Sequence, residues 1–337
     1  MNYIGMDIHK PFTVAVAQDE QGNILAQDKF ENNKNCFQQF LLKFPKEETK
    51  IVMESTCVWQ YIYDLLEELG YNAKLSNPVR TKAIASARIK TDSVDAKTLA
   101  DLLRANLIPE SYIPNKEIRN LRDIVRQRKT LVKGRTQMKN KIHSVLNMHG
   151  IKMPFKTLCN KAIEWIIDEI RETTIKTVIV SYLNILEQYE HELKFIDDKI
   201  EKIACQNKQA ILLMTIPGIS SIRSLEIISE IADISRFEDS SKLCSYAGLV
   251  PSIKQSGNSL RFGGLIQQAS RSLKYVLIET SWTIVKVKEP NQLSEFYKKL
   301  CKKKSKQKAI CATARKLCCI IHAMLRKQEE FKDFIIL

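Results

Sequence analysis

Four carboxylates begin or end predicted secondary-structure elements, where side chains from separate elements can meet. Asp7 ends the first apolar strand, and Glu54 ends a later one. Asp92 and Asp95 stand one helical turn apart, directly ahead of an apolar helix. A carboxylate within an apolar strand is costly unless it is compensated, and a divalent cation is a common compensation. We therefore predict that these residues bind Mg²⁺ or Mn²⁺, which could polarise a phosphodiester and activate its attacker.

Each acid also has a purely structural explanation. Asp7 and Glu54 could be strand-end acids that backbone groups or solvent satisfy. Asp92 could be a helix N-cap, with Asp95 three residues later as its capping-box partner. The sequence leaves both explanations open.

A serine with a possible chemical role stands in Gln255-Ser256-Gly257. We predict a loop between helices here, because Ser-Gly pairs are ordinary turn formers. No histidine and acid stand nearby to complete a catalytic triad. An attack by Ser256 on a phosphodiester would therefore need a metal ion or basic residues from elsewhere to lower its charge cost.

The first 110 residues alternate strand-like and helix-like patterns, which predicts an α/β layer. A turn signal at 21–23 predicts that the first three strands form an antiparallel meander. The predicted strands are 3–8, 12–17, 24–30, 51–53 and 73–75, and the predicted helices are 36–44 and 58–69. This order is that of a ribonuclease H-like fold, in which Asp7 and Glu54 occupy neighbouring strand positions.

Two long helices are predicted in the middle of the chain. A basic helix covers 117–149, and a heptad seam runs over 182–203. The two helices could pack as an antiparallel pair within one chain, or join subunits as a coiled coil. At least a dimer is expected, and both arrangements stay open.

Past Lys208 the pattern predicts a compact, mainly helical domain. Residues 216–219, of sequence Ile-Pro-Gly-Ile, resemble the turn of a helix-hairpin-helix, which can hold a phosphate or simply join two helices. The segment 298–316 holds nine Lys+Arg and no acid, which predicts a mobile polybasic loop. The predicted domains are therefore 1–112, 113–207 and 208–337.

The charge balance indicates a polyanionic partner. The 337 residues include 53 Lys+Arg and 38 Asp+Glu, which gives a net charge of +15. The excess is concentrated between residues 80 and 141, which favours nucleic acid over a merely solvated helix face. The residues predicted to contact nucleic acid are Arg80, Lys82, Arg88, Lys90, Arg126, Arg128, Lys129, Lys133, Arg135, Lys139, Lys254, Arg271, Lys274, Lys302, Lys303, Lys304 and Lys306.

Composition excludes several classes of protein. No two glycines stand two positions apart, so there is no G-x-G-x-x-G dinucleotide loop, and no P-loop motif occurs. No apolar run is long enough for a membrane helix and no signal peptide is evident, which predicts a cytoplasmic, nucleoid-associated protein. Nine cysteines without a C-x-x-C pair predict reduced, mostly buried thiols.

The acids and several C-terminal segments together resemble the DEDD-type transposases of bacterial insertion sequences, a group described as bridge-RNA-guided serine recombinases. The resemblance covers nearly the whole chain. In the N-terminal part it rests on Ile4-Gly5-Met6-Asp7, Met53-Glu54-Ser55-Thr56 and Lys90-Thr91-Asp92-Ser93-Val94-Asp95-Ala96. In the C-terminal part it rests on Ile216-Pro217-Gly218-Ile219, Tyr246-Ala247-Gly248-Leu249-Val250-Pro251, Gln255-Ser256-Gly257 and Ala314-Arg315-Lys316-Leu317.

The resemblance implies a RuvC-like domain at 1–112, a long-helix region at 113–207 and a transposase domain with a serine loop at 208–337. It implies that Ser256 is the nucleophile and forms a phosphoserine link to DNA, while the four acids bind Mg²⁺. It also implies that acids and serine meet between subunits of a homo-oligomer, a dimer or tetramer. A structured noncoding RNA is expected to pair with donor and target DNA.

One segment departs from the family pattern. The usual glycine-asparagine step after the serine loop is missing, and Lys274 stands where an arginine is expected. Arg271 or Lys274 could supply that charge. The expected activity is movement of an insertion element, and a site-specific DNA invertase shares this architecture. A junction-resolving nuclease that uses water and a non-catalytic nucleic-acid scaffold are the alternatives.

Overall fold

The computed structural model describes residues 1–85, 91–256, 259–289 and 291–332, with the backbone alone at positions 254 and 256. These residues form two compact units, Met1–Ile113 and Pro114–Leu337. A finer division at residue 207 stays a prediction. Within the described ranges, no helix is both long enough and apolar enough to span a bilayer.

The first unit is built on one mixed five-stranded sheet. Its strands are β1 (Asn2–Ile8), β2 (Phe12–Gln18), β3 (Ile24–Glu31), β4 (Thr49–Glu54) and β5 (Ala73–Ser76), in the spatial order β3-β2-β1-β4-β5. The first three strands pair antiparallel, so the predicted meander is confirmed. The β1–β4 and β4–β5 pairs are parallel, because helices carry the chain back between them.

Helices cover both faces of this sheet. They are α1 (Lys34–Leu41), α2 (Trp59–Glu68), α3 (Pro78–Ile84) and α4 (Asp92–Arg104). Ile4 and Met6 of β1 share a buried core with Phe37 of α1 and Ile62 of α2. The opposite face packs against α4, where Leu99 contacts Val52 of β4. This mixed α/β unit is compatible with the predicted ribonuclease H-like fold.

The second unit begins with α5 (Lys116–Met148), α6 (Asn160–Glu169) and α7 (Thr173–Gln206). The two long helices pack antiparallel within the chain: Arg128 pairs with Asp197, and Lys139 with Glu190. A Cβ on Gly134 would lie 2.5 Å from the ring of Tyr189, so the helices approach closely there. The intrachain pairing is confirmed, whereas a coiled coil between subunits stays a prediction.

The rest of the second unit is mainly helical. It contains α8 (Lys208–Met214), α9 (Ser221–Ile231), α10 (Ser240–Tyr246), β6 (Pro251–Ser256), β7 (Ser259–Leu265), α11 (Arg271–Ile284), α12 (Gln292–Cys301) and α13 (Lys306–Lys327). Leu121 of α5 and Ile200 of α7 share its buried core, so α5 begins and α7 ends within this core. Residues 215–220 join α8 to α9 as a helical hairpin, in which the Ser220 hydroxyl accepts from the backbone N–H of Arg223.

The predicted polybasic loop at 298–316 is wrong. Most of this segment is helical and belongs to α12 and α13, with only a short connection at 302–305. Lysine is a good helix former, and the Ser305 side chain caps α13 by accepting from the backbone N–H of Lys308. Lys302, Lys303 and Lys304 lie in the short connection, whereas the other basic residues of the segment stand on helices whose apolar faces are buried.

The predicted plain loop around Ser256 is also wrong. β6 and β7 form an antiparallel hairpin in which Ile253 pairs with Phe262 and Ser256 with Ser259. Ile253 on β6 and Leu260 and Phe262 on β7 favour strand pairing, although Pro251 and the Gly263-Gly264 pair weaken the pattern in the sequence.

The cysteines are free but not mostly buried. Cys244 and Cys318 are buried, whereas Cys57, Cys159 and Cys205 are exposed. A small polarisable side chain is tolerated on the surface as well as in a core, so burial of these thiols could not be predicted from composition.

Candidate metal centre and nucleic-acid surfaces

Asp7 lies on the central strand of the sheet, on the face that α4 covers. Side chains alternate along β1, so Met6 enters the core with α1 and α2 while Asp7 faces the other way. Asp7 is only 7% exposed. Its neighbours Val14 and Val16 on β2 pack with Ala96 of α4. The fold therefore holds a carboxylate in a largely apolar layer.

Gly5 allows α4 to approach β1 closely. A Cβ at this position would lie 2.1 Å from the carbonyl oxygen of Ala96 and 2.5 Å from the backbone nitrogen of Ala100. Both alanines are fully buried. Only residues this small permit the contact, which places the first turn of α4 over the end of β1.

The cap of α4 is Thr91 rather than Asp92. The Thr91 hydroxyl accepts from the backbone N–H of Val94, at 3.3 Å. The alternative in which Asp92 caps the helix and Asp95 completes a capping box is therefore wrong. Asp92 and Asp95 lie in the first turn, where the positive end of the helix dipole favours carboxylates.

Asp92 and Asp7 converge on a histidine. His9 Nε2 lies 3.2 Å from Asp7 Oδ2 and 3.4 Å from Asp92 Oδ1. The ligand atoms of these three residues all lie within 4.8 Å of one another. His9 is not among the residues predicted from the sequence, although its position two residues after Asp7, directly beyond the end of β1, is a signal that it could share the site.

Burial raises the pKa of Asp7 above its ordinary value, and the charges of Asp92 and Asp95 raise it further. The charge of His9 and its hydrogen bond act in the opposite direction on this pKa. Ionised Asp7 is therefore unfavourable unless a positive charge compensates it. A divalent cation would supply that charge, and the set of carboxylate oxygens and one imidazole nitrogen suits it.

Glu54 ends β4, the parallel neighbour of β1. The last paired residues of these parallel strands are Met6 and Met53, so Glu54 and Asp7 follow at the same end of the sheet, where both strands end. It lies on the face of Val52, which packs against α4. Nearby, the buried Thr56 Oγ1 has no hydrogen-bond partner among the described residues. Asp7, His9 and Asp92 compose the cluster. The charge of Asp95 acts on the pKa of Asp7, while Glu54 is placed only at the same end of the sheet.

Ser256 is at the end of β6 in the second unit, and its side chain is outside the described part of the chain. The backbone places it opposite Ser259 at the closed end of the hairpin. Every residue of β7 is exposed. Ile253, Leu260 and Phe262 on this hairpin are each more than half exposed.

The predicted nucleic-acid contacts fall into different environments. Arg88, Lys90 and the side chain of Lys254 lie outside the described residues. The exposed basic residues are Arg80, Lys82, Arg126, Lys129, Lys133, Arg271, Lys302, Lys303, Lys304 and Lys306, while Arg135, Lys139 and Lys274 are half-buried. Arg128 donates twice to Asp197, at 2.5 and 3.3 Å, and Lys274 donates to the Ile266 carbonyl at 2.9 Å. Arg128 and Lys274 therefore already have structural partners.

A polar groove runs along α5 beside α11. Arg126, Lys129, Lys133 and Lys141 line it together with Tyr275. The Lys129 ammonium lies 4.2 Å from the centre of the Tyr275 ring, which is itself about half exposed. Cationic groups beside an exposed aromatic ring are typical of surfaces that bind a nucleic-acid strand.

Comparisons with known proteins agree with this architecture. A family model described as DEDD_Tnp_IS110 transposase matches residues 4–150, and one described as the transposase IS116/IS110/IS902 family matches residues 210–298. The transposase for insertion sequence element IS1111A of Coxiella burnetii is 23% identical over 337 residues, covering 98% of this chain and 91% of that protein. The transposase for element IS1328 of Yersinia enterocolitica is 22% identical over 320 residues, covering 93% of each.

A further relative has a different name. The pilin gene-inverting protein of Moraxella bovis is 34% identical over 127 residues, covering 37% of this chain and 39% of that protein. These matches identify the chain as a DNA-cutting recombination enzyme, and its α/β unit followed by a mainly helical unit is compatible with that class. It belongs to the IS110 family of DEDD-type insertion-sequence transposases.

Proposed function

We propose that this transposase moves an insertion element by cutting and rejoining DNA through Ser256, with Mg²⁺ or Mn²⁺ at the acid cluster. The convergence of buried Asp7 with Asp92 and His9 carries this proposal, because the raised pKa of Asp7 calls for a positive charge at that point. Asp95 stands in the same helical turn as Asp92, and Glu54 ends the parallel strand beside Asp7, so we include both in the proposed four-acid set.

The chemistry divides between the two units. When bound, the divalent cation supplies positive charge to a phosphodiester oxygen. Ser256 Oγ attacks the phosphorus, loses its proton and forms an Oγ–P bond, while the P–O bond to one strand end breaks and the released oxygen takes a proton. Attack by the hydroxyl of another strand then releases the serine. The number of phosphodiester bonds is conserved, so no energy-supplying cofactor is needed.

The partners of this reaction are donor and target DNA, a structured noncoding RNA and further copies of the chain. The intact acid set and the Ser256 segment, in a chain that matches the family at both ends, support them. Pairing by RNA would take base recognition away from side chains, as in other RNA-guided systems. The exposed lysines and arginines would then mainly contact phosphates.

The test is to trap the covalent intermediate. End-labelled junction DNA, the flanking noncoding RNA and the protein are incubated with Mg²⁺ and then denatured. We expect label to migrate with the wild type and with Ser259→Ala, which alters the residue opposite Ser256, but not with Ser256→Ala. Cleaved, unattached DNA in all three samples would indicate a water-using nuclease instead. Tight binding without any cleavage would indicate a scaffold.

A site-specific DNA invertase is the second candidate. The 34% identity to the Moraxella bovis pilin gene-inverting protein favours it over part of the chain. Supplying the protein with two inverted copies of its site on one plasmid distinguishes the two activities. Inversion of the intervening segment supports the invertase, whereas excision and insertion into a second plasmid support the transposase.

A further inference from the structure

We propose that His9 is a direct metal ligand, through Nε2, and that it shifts the preference of the acid centre from Mg²⁺ toward Mn²⁺. The inference rests on the proposed metal dependence and adds a residue outside the four acids. His9 would make the site a mixed nitrogen and oxygen site, whose selectivity differs from that of a carboxylate cage.

The distances around His9 suit a shared ion. Nε2 lies 3.2 Å from a carboxylate oxygen of Asp7 and 3.4 Å from one of Asp92. Adjacent ligand atoms around an octahedral cation with bonds of about 2.1 Å lie about 3 Å apart. Both distances from Nε2 are therefore close to the spacing of neighbouring ligands. The Asp7 and Asp92 ligand atoms lie within 4.8 Å of each other, although the three residues come from β1, the turn after it and α4.

The backbone and ring of His9 are held in place. Its N–H donates to the Phe12 carbonyl at 2.9 Å, and its carbonyl accepts from Asn32 Nδ2 at 2.6 Å. The ring centres of His9 and Phe12 lie 4.7 Å apart. Asn32 is itself fixed because its Oδ1 accepts from the Thr13 hydroxyl. A residue anchored on both sides loses little freedom on binding an ion, which favours a ligand role.

Ligand chemistry gives the proposal its direction. Mg²⁺ is a hard cation that prefers oxygen, whereas transition-metal ions accept imidazole readily. Mn²⁺ binds both carboxylate and imidazole, so a nitrogen among the oxygens should strengthen its binding more than that of Mg²⁺. We expect His9→Ala to weaken Mn²⁺ binding roughly tenfold or more, and Mg²⁺ binding by less.

The experiment detects the nitrogen directly. Full-length protein is loaded with Mn²⁺ without nucleic acid, and pulsed electron paramagnetic resonance records modulation from a coordinated ¹⁴N nucleus. The variants are His9→Ala, His9→Asn and His191→Ala. Asparagine can still donate a hydrogen bond to Asp7 but does not provide an imidazole, and His191 is a largely exposed histidine of the second unit.

Nitrogen modulation in the wild type and in His191→Ala, and its loss in both His9 variants, supports the proposal. Bound Mn²⁺ without nitrogen modulation in the wild type overturns it and makes His9 a hydrogen-bonding partner of the acids, while the metal-dependent function stands. Absence of any Mn²⁺ binding to the wild type overturns both. Equal Mn²⁺-to-Mg²⁺ affinity ratios in the wild type and His9→Ala would also contradict the assigned selectivity.

Discussion

The acid cluster and the serine hairpin are built in opposite ways. Asp7 lies on the middle strand of a five-stranded sheet, with strands on both sides and α4 packed above it. Ser256 ends one strand of a two-stranded hairpin whose other strand is exposed along its whole length. The first site is positioned by the core of its own unit, whereas a two-stranded ribbon has little stability by itself.

The two sites therefore have different structural requirements. A metal centre needs carboxylates held close together against their mutual repulsion, and only a rigid core supplies that. Ser256, the proposed nucleophile, stands instead on a hairpin whose second strand is exposed along its length. We expect Ile253 and Phe262, which are exposed on that hairpin, to contact nucleic acid or another copy of the chain in the working complex.

The largest effect should come from removing the buried charge. Asp7→Asn should lower strand cutting by roughly a thousandfold, since several kcal/mol of transition-state stabilisation depend on the cation. Labelled-DNA cleavage measures this. Asp101→Asn, an exposed acid of α4 that pairs with Arg104, is the control and should cut normally. Cutting by Asp7→Asn at the wild-type rate would show that Asp7 is not part of the metal site.

A pair of glycine substitutions tests the contrast between core and hairpin. Gly5→Ala places a Cβ 2.1 Å from the Ala96 carbonyl and should cost about 1–3 kcal/mol or more, because α4 must move away from β1. Gly264→Ala meets nothing within 4 Å and should be neutral or slightly stabilising. Chemical denaturation measures both. Similar costs at the two positions would contradict the comparison.

The raised pKa of Asp7 predicts how stability depends on pH. Ionised Asp7 is less favourable in the folded chain than in the unfolded one. Without metal, this acid should therefore reduce stability as pH rises from the ordinary aspartate range through its raised pKa. Asp7→Asn should then have a Tm a few degrees above wild type at neutral pH, and the gain should vanish in acid.

Divalent metal should make the wild type more stable than Asp7→Asn at neutral pH. Mn²⁺ at about 100 times its Kd would stabilise the wild type by about 2.7 kcal/mol and leave Asp7→Asn nearly unchanged. The test is the Tm of the wild type and of Asp7→Asn, each measured in a chelator and in Mn²⁺. A wild-type Tm that is the same in chelator and in Mn²⁺ would contradict the proposed metal site.

The smallest stability effect should occur on the hairpin. Phe262→Ser changes a side chain that is 66% exposed, so the free energy of unfolding should change by no more than about 0.5 kcal/mol. Strand transfer should nevertheless fall, because the hairpin's contacts arise in the complex. A large loss of stability would show that the hairpin packs into its unit.

The sequence predicted the sheet and long helices well because their patterns are local. Buried strands such as β4 are short apolar runs, and α5 has a clear helical period. The meeting of Asp7 with Asp92 could be anticipated only through the fold, since the contact between Gly5 and Ala96 that sets it joins distant segments.

Three features could not be read from local patterns. The i, i+2 spacing of Asp7 and His9 is local, but Asp92 reaches His9 only because α4 packs over β1, a tertiary contact that the spacing does not encode. The N-cap of α4 is Thr91, one residue before Asp92, and the sequence could not distinguish them because hydroxyl and carboxylate side chains are both good caps. The high density of basic residues over 298–316 predicted a loop, because the buried residues of α12 and α13 are separated by charged ones and their helical period is hard to recognise.

The order of elements along the chain also sets the order in which the acid cluster is synthesised. β1 is the central strand of its sheet, yet α4, which covers it, is the last helix of that unit. A ribosome adds about 5–20 residues per second, so roughly 4–17 seconds separate the synthesis of Asp7 from that of Asp92. Throughout that interval the nascent chain carries only part of the acid set, and an aborted translation product that ends before α4 lacks Asp92 and has no assembled acid cluster.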